Sequence, residues 1–147
     1  MAFNIKDEIC SWIGKRWIHG QSVKSEGADC IQFIVAVAKT AGWIPQDYKT
    51  IKYARDWAIH NDKSILKEEI KKHASLVILD SNTVMSNLHK LQVGDIILII
   101  SGQTSGHAGF YIGDGNIVHS HIRHGILQEK LSVYNDKIDS VWRINKE

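Results

Sequence analysis

The chain has 147 residues, 44% of them hydrophobic and 23% charged, with a formal net charge of +2. That fits one globular domain, and the balance is too even for a nucleic-acid binder, which concentrates Lys and Arg on one face. The longest apolar runs, such as 96–100, fall far short of the ~20 residues that span a bilayer. The N-terminus has no basic start followed by an apolar run, so no signal peptide is expected. A protein that is cytoplasmic, released by lysis, or exported by a route the sequence does not show, and that acts away from membranes and nucleic acid, is the expectation.

In chain order, residues 5–17 carry Ile5, Ile9, Trp12, Ile13 and Trp17. These steps of three and four predict an amphipathic helix ending near Gly14. Residues 18–28 read as a loop. Residues 30–41 are apolar on nearly every side, which predicts a buried helix with Asp29 as N-cap and Gly42 and Pro45 as stop signals. Residues 46–60 read as loop and short helix. Residues 64–74 predict another amphipathic helix, with Glu68 and Lys72 spaced for an ion pair, and residues 82–90 a short one. Strands are expected at 95–100, 107–112, 116–120, 125–131 and 140–144. Helices followed by an antiparallel meander argue an α+β fold.

Cys30 opens the buried helix. Backbone N–H groups and the helix dipole favour an anion there, so a lowered thiol pKa is expected. The same N–H groups could hold an oxyanion. Cys10 reads as a structural residue on the first helix. The base partner must come from His107, His119, His121 or His124. If Gly113-Asp114-Gly115 is a three-residue loop, Gly109 faces His119 and His107 faces His121. His119 is then a diagonal neighbour of His107, at roughly 7–8 Å. A two-residue turn would put His107 and His119 on opposite faces. Both registers stay open. A metal reading of His107, His119, His121 and His124 competes, but no carboxylate sits among these histidines and Cys30 is left unexplained. Trp17, His19, Gln21, Asp29 and His121 are candidate oxyanion or substrate-binding residues. Asp29 needs no role beyond its cap, and Trp17 and Trp57 are candidates to line a cleft.

Four segments carry a family resemblance. Gly27-Ala28-Asp29-Cys30 before an apolar helix resembles the D-C-S-G nucleophile motif of the NlpC/P60 cell-wall peptidases. Leu91-Gln92-Val93-Gly94-Asp95 resembles their L-x-P-G-D turn. Ser105-Gly106-His107-Ala108-Gly109-Phe110-Tyr111-Ile112-Gly113 is similar to their H-V-G-I-Y-x-G strand. Ile117-Val118-His119-Ser120 resembles the segment that bears their third catalytic residue. The resemblance covers roughly residues 10–145. It implies a papain-like fold in a single domain over residues 1–147, with Cys30 as nucleophile, His107 as base and His119 as orienter, His121 competing for the last role. No cofactor or metal is implied. The implied substrate is a peptidoglycan-derived peptide, cut between γ-D-glutamate and a diamino acid. Trp12-Ile13-Gly14 through His19-Gly20, together with Asp56-Trp57-Ala58-Ile59-His60, resembles the phage and gene-transfer-agent branch, which implies delivery by a phage tail assembly. Ile31-Gln32 in place of Ser-Gly, Val93 in place of Pro, and Trp17 where many members have Tyr are departures that reshape the substrate pocket. An acyltransferase or thioesterase using the same triad, or a non-enzymatic phage-tail module, are the alternatives.

Overall fold

The structure is a computed structural model that describes residues 3–50, 65–78, 84–101 and 104–145. The expected helical region at 51–64, with Tyr53 and Trp57, lies outside them. Helix α1 (Ile5–Cys10) is capped by Asn4, whose side chain accepts from the Asp7 N–H. It stops well short of residue 17. The chain turns through Ser11 to a left-handed Gly14, whose N–H donates to Ile126 O. Trp12 remains buried although it has left the helix.

The expected loop at 18–28 contains a small antiparallel pair, β1 (Ser22–Val23) with β2 (Gly27–Ala28). Gly27 is buried against Arg16, and a Cβ there would lie 2.0 Å from Arg16 O. Helix α2 (Cys30–Thr40) follows as expected, with Asp29 Oδ1 accepting from the Gln32 N–H and Gly42 in a left-handed conformation past its end. Helix α3 (Ile65–Lys71) is shorter than the pattern predicted, and Lys72 pairs with Glu69 at 2.9 Å. Residue 74, read as the last of that helix, instead opens strand β3 (Ala74–Ile78), to which sequence patterning assigned no element. The expected short helix is a 3-10 turn over Met85–Lys90.

The second half is mostly strand: β4 (Ile96–Ser101), β5 (Thr104–Gly113), β6 (Asn116–His121), β7 (Gly125–Lys130) and β8 (Ile138–Ile144). A 3-10 turn over Leu131–Lys137, which sequence patterning missed, joins the last two. All neighbours are antiparallel, in the order β3-β8-β4-β5-β6-β7. Strands β4 to β7 make the expected meander, and β8 returns to pair with β4.

Both faces of the sheet are covered, which is why Ile96, Ile97, Leu98 and Ile99 are all buried rather than alternating. On one face, Phe33, Ile34 and Val37 of α2 pack with Leu98, Phe110 and Val118. Phe33 and Phe110 meet edge to face at 5.6 Å, and Trp12 meets Phe33 at 5.7 Å. On the other, Ile97, Ile99, Tyr111, Ile117 and Val141 pack with Leu131 and Ile138. Asp95 is 1% exposed and bound by Arg143 through two 2.8 Å contacts. It also accepts from the Gln92 N–H, tying the turn before β4 to β8. Among the described residues no helix is long and apolar enough to cross a membrane.

Candidate active site

Helix α2 brings Cys30 to the start of β5. The thiol donates to Gly106 O at 3.9 Å, and the Ala108 N–H also faces the sulfur. Cys30 therefore meets the strand backbone on either side of His107. The Cys30 and Ile31 N–H groups at the helix end face the sulfur as well. The expected lowering of the thiol pKa is overturned. Burial, reinforced by the neighbouring Asp29 carboxylate, pushes it up to about 12, and the N–H groups do not offset this.

The β5–β6 hairpin resolves the open question of register in an unexpected way. The turn is the two-residue Asp114-Gly115, both at positive φ, closing a Gly113–Asn116 pair. Taken alone it would separate His107 from His119. A β-bulge between Tyr111 and Gly113, with Gly113 at φ 96°, shifts the register back, so Tyr111 faces Ile117 and Gly109 faces His119. His107 Nε2 and His119 Nδ1 lie 2.6 Å apart, with the rings edge to face at 4.8 Å. Gly109 leaves this space open, since a Cβ there would stand 2.9 Å from the His119 Cβ. Burial lowers the His107 pKa to about 3, with a smaller contribution from His119 and His121, so the ring is neutral at neutral pH.

His119 is 0% exposed and makes a second contact that sequence reasoning missed. Its Nε2 lies 2.6 Å from Glu129 Oε1, and the Tyr134 hydroxyl donates to that same oxygen at 2.7 Å. Glu129 stands opposite Ile117, so it is the diagonal neighbour of His119 across β6 and β7. Burial lowers the His119 pKa against the pull of Glu129. Despite burial, Tyr134 and His119 hold the Glu129 carboxyl below its usual range.

The remaining candidates form two groups. Asp29 is 3% exposed, with Oδ1 capping α2 and Oδ2 accepting from the Gly20 N–H at 2.6 Å, which ties the loop before Cys30 to the start of the helix. His19 lies 3.8 Å from it, with Trp17 6.4 Å from His19 between ring centres. Gln21 is turned to Glu26, with its Nε2 donating at 2.5 Å. His121 lies 6.1 Å from His119 between ring centres, stacks on His124 at 4.7 Å and accepts from the Arg123 N–H. The competing metal set is thus not assembled. Among the described residues no group of three or more His, Cys, Asp or Glu is placed to hold an ion. Cys10 is a free, partly buried cysteine packed against the core.

Comparison with known proteins bears on the fold and the family. Among curated proteins none matches the chain. Solved structures do. The NlpC/p60 domain of the peptidoglycan hydrolase SagA matches with a TM-score of 0.60 and 13% identity, over 95% of this chain and 96% of that one. An NLP/P60 family protein similar to lipoprotein, from Staphylococcus aureus, matches at 0.62 and 18%, over 97% of this chain and 41% of that one. NlpC1 from Trichomonas vaginalis matches at 0.64 and 16%, over 95% and 43%. The chain spans less than half of the last two. At these identities the likeness establishes the fold, which is the papain-like α+β arrangement of NlpC/P60 domains. A model of the NlpC/P60 family matches residues 14–143, and the chain therefore belongs to the NlpC/P60 family, whose members are generally cell-wall peptidoglycan hydrolases.

Proposed function

We propose that this chain is a cysteine peptidase that cuts an amide bond in peptidoglycan stem peptides through a thioester on Cys30. One observation carries the reading: a hydrogen-bonded pair of imidazoles, half-buried at His107 and buried at His119, begins on the strand residue flanked by the two backbone groups that touch the Cys30 thiol.

With the thiol pushed up and the imidazole pushed down, both groups are neutral at rest. The proton leaves sulfur only as the sulfur attacks. Cys30 Sγ bonds to the carbonyl carbon, His107 takes the thiol proton, and the carbonyl oxygen becomes an oxyanion within reach of the N–H groups of Cys30 and Ile31. His107 then gives its proton to the departing amine as the C–N bond breaks. Water, deprotonated by His107, attacks the thioester, and Cys30 leaves with its proton restored. His119 holds the His107 ring in the orientation that both transfers need.

The bond between γ-D-glutamate and a diamino acid is the scissile bond supported by the family motifs around Cys30, His107 and His119. Soluble muropeptides or the wall itself are the substrates. Delivery by a phage tail assembly is the reading supported by the Trp12–Gly20 resemblance. The test is incubation with purified muropeptides and mass analysis of the products, comparing wild type with Cys30→Ala. A cut after γ-glutamate that the variant loses is the expected result. Transfer of the acyl group to an added amine or alcohol in place of hydrolysis would favour the acyltransferase alternative.

A further inference from the structure

We infer that Glu129 is a positioning residue of this site, whose carboxylate sets the protonated nitrogen of both imidazoles so that His107 Nδ1 is the atom that receives the Cys30 proton. The inference rests on the reading of Cys30 and His107 given above, and it follows from the order of donors and acceptors along one chain of groups.

An ionised carboxylate only accepts. Glu129 Oε1 accepts from the Tyr134 hydroxyl at 2.7 Å, so its 2.6 Å contact with His119 Nε2 requires that nitrogen to carry a hydrogen. A neutral imidazole has one N–H, which leaves His119 Nδ1 with a lone pair. The 2.6 Å contact between His119 Nδ1 and His107 Nε2 then requires the hydrogen on His107 Nε2. The remaining nitrogen of His107, Nδ1, is the base. If His119 carried its hydrogen on Nδ1 instead, His107 Nε2 would have to accept. Its hydrogen would then move to Nδ1, and His107 would face the thiol with no lone pair.

The charges agree with this order. When His107 takes the thiol proton, its Nε2–H points along a chain that ends on a carboxylate, which compensates the new positive charge. Around this chain, His107 faces His119 from β5, His121 neighbours it on β6, Tyr134 approaches from the 3-10 turn, and His124 stacks on His121. Burial keeps His107 and His119 neutral, while Tyr134 keeps its proton because burial and Glu129 push its pKa up.

Two measurements on the full chain test this without any muropeptide. The first is the nitrogen NMR spectrum of the imidazoles at pH 7. Pyrrole-type Nε2 and pyridine-type Nδ1 signals for both His107 and His119 are expected, and an Nδ1-protonated His119 would overturn the inference. The second is the rate at which iodoacetamide alkylates Cys30, compared among wild type, Glu129→Ala, Glu129→Asp and His107→Ala, each shown to be folded by circular dichroism. Glu129→Ala is expected to slow alkylation at pH 7 by about tenfold or more, the worth of one pH unit of imidazole basicity. Glu129→Asp should restore part of the rate. Slowing in His107→Ala but not in Glu129→Ala sinks the role of Glu129 alone. No slowing in His107→Ala sinks the underlying pairing of Cys30 with His107. If Glu129→Ala does not fold, the wild-type spectrum decides.

Discussion

Replacing Gly109 by Ala is expected to stretch the contact between the two imidazoles while leaving the chain folded. A Cβ at this position would stand 2.9 Å from the His119 Cβ and 3.0 Å from Val118 O. Both atoms belong to the main frame of β6, and neither is the end of a flexible side chain. Comfortable contact begins near ~3.5 Å, so β5 and β6 must part by roughly 0.5 Å there. The 2.6 Å contact between His107 and His119 spans the same pair of strands one step away. Stretched by that amount it reaches about 3.1 Å, near the end of the useful hydrogen-bond range. The overpacking costs about 1–3 kcal/mol, less than the 5–15 kcal/mol typical of a domain. A general acid–base group contributes about 10²–10⁴ in rate, so loosening its orienter without breaking the contact should lower kcat about three- to tenfold with KM little changed. Muropeptide turnover and urea unfolding are measured side by side. Gly42→Ala is the control. It sits at φ 75° past the far end of α2, with nothing within 4 Å of an added Cβ, so it should lose about 1–2 kcal/mol of stability and keep its kcat. A folded Gly109→Ala with wild-type kcat refutes the reasoning. So does an equal loss of kcat in Gly42→Ala, which would trace the effect to lost stability.

Stability should depend on pH through the two shifted groups. His107 is depressed in the folded chain, so its contribution is present above pH 6.5 and is lost as pH falls toward about 3. Cys30 is raised, so its contribution is present below pH 9.0 and is lost as pH rises toward about 12. Thermal melts across this range should flatten on the acid side in His107→Gln and on the alkaline side in Cys30→Ala, and unchanged slopes in both would contradict the shifts. Asp29→Asn keeps a capping oxygen but removes the charge that raises the thiol pKa, so Cys30 should alkylate faster at pH 7 than in wild type. A slower reaction would show that Asp29 does not act through its charge. Arg143→Ala strands the buried Asp95 carboxylate and should cost about 2–3 kcal/mol in urea unfolding while kcat holds; a loss under 0.5 kcal/mol, the usual scatter of surface substitutions, would contradict this.

What could be read from the sequence was mostly local. The buried helix 30–40 and its Asp29 cap follow from composition and one side chain, and the strands at 96–101 and 116–121 follow from apolar runs between turn residues. Strand β3 was hidden because it is an edge strand, with Ser75 and Leu76 exposed and little periodicity to separate it from the helix before it. The hairpin register was half legible. Gly113-Asp114-Gly115 announced a turn, but the bulge that restores the His119 face depends on Gly113 taking φ 96°. Glu129 was out of reach because its meeting with His119 depends on the β6–β7 register across residues 122–124. Tyr134 joins them from a 3-10 turn with no periodic signal. The thiol shift failed for the same reason: helix position is visible in sequence, but the burial that outweighs it is not.

The most direct test of the central claim is intact-protein and peptide mass spectrometry after rapid quenching of the wild-type chain with muropeptide. The expected result is a transient mass increase equal to the acyl portion of the peptide, mapped to Cys30 as a thioester that hydroxylamine removes. It should be absent in Cys30→Ala and reduced in His107→Ala. Turnover with no adduct on Cys30, undiminished in Cys30→Ala, would contradict it.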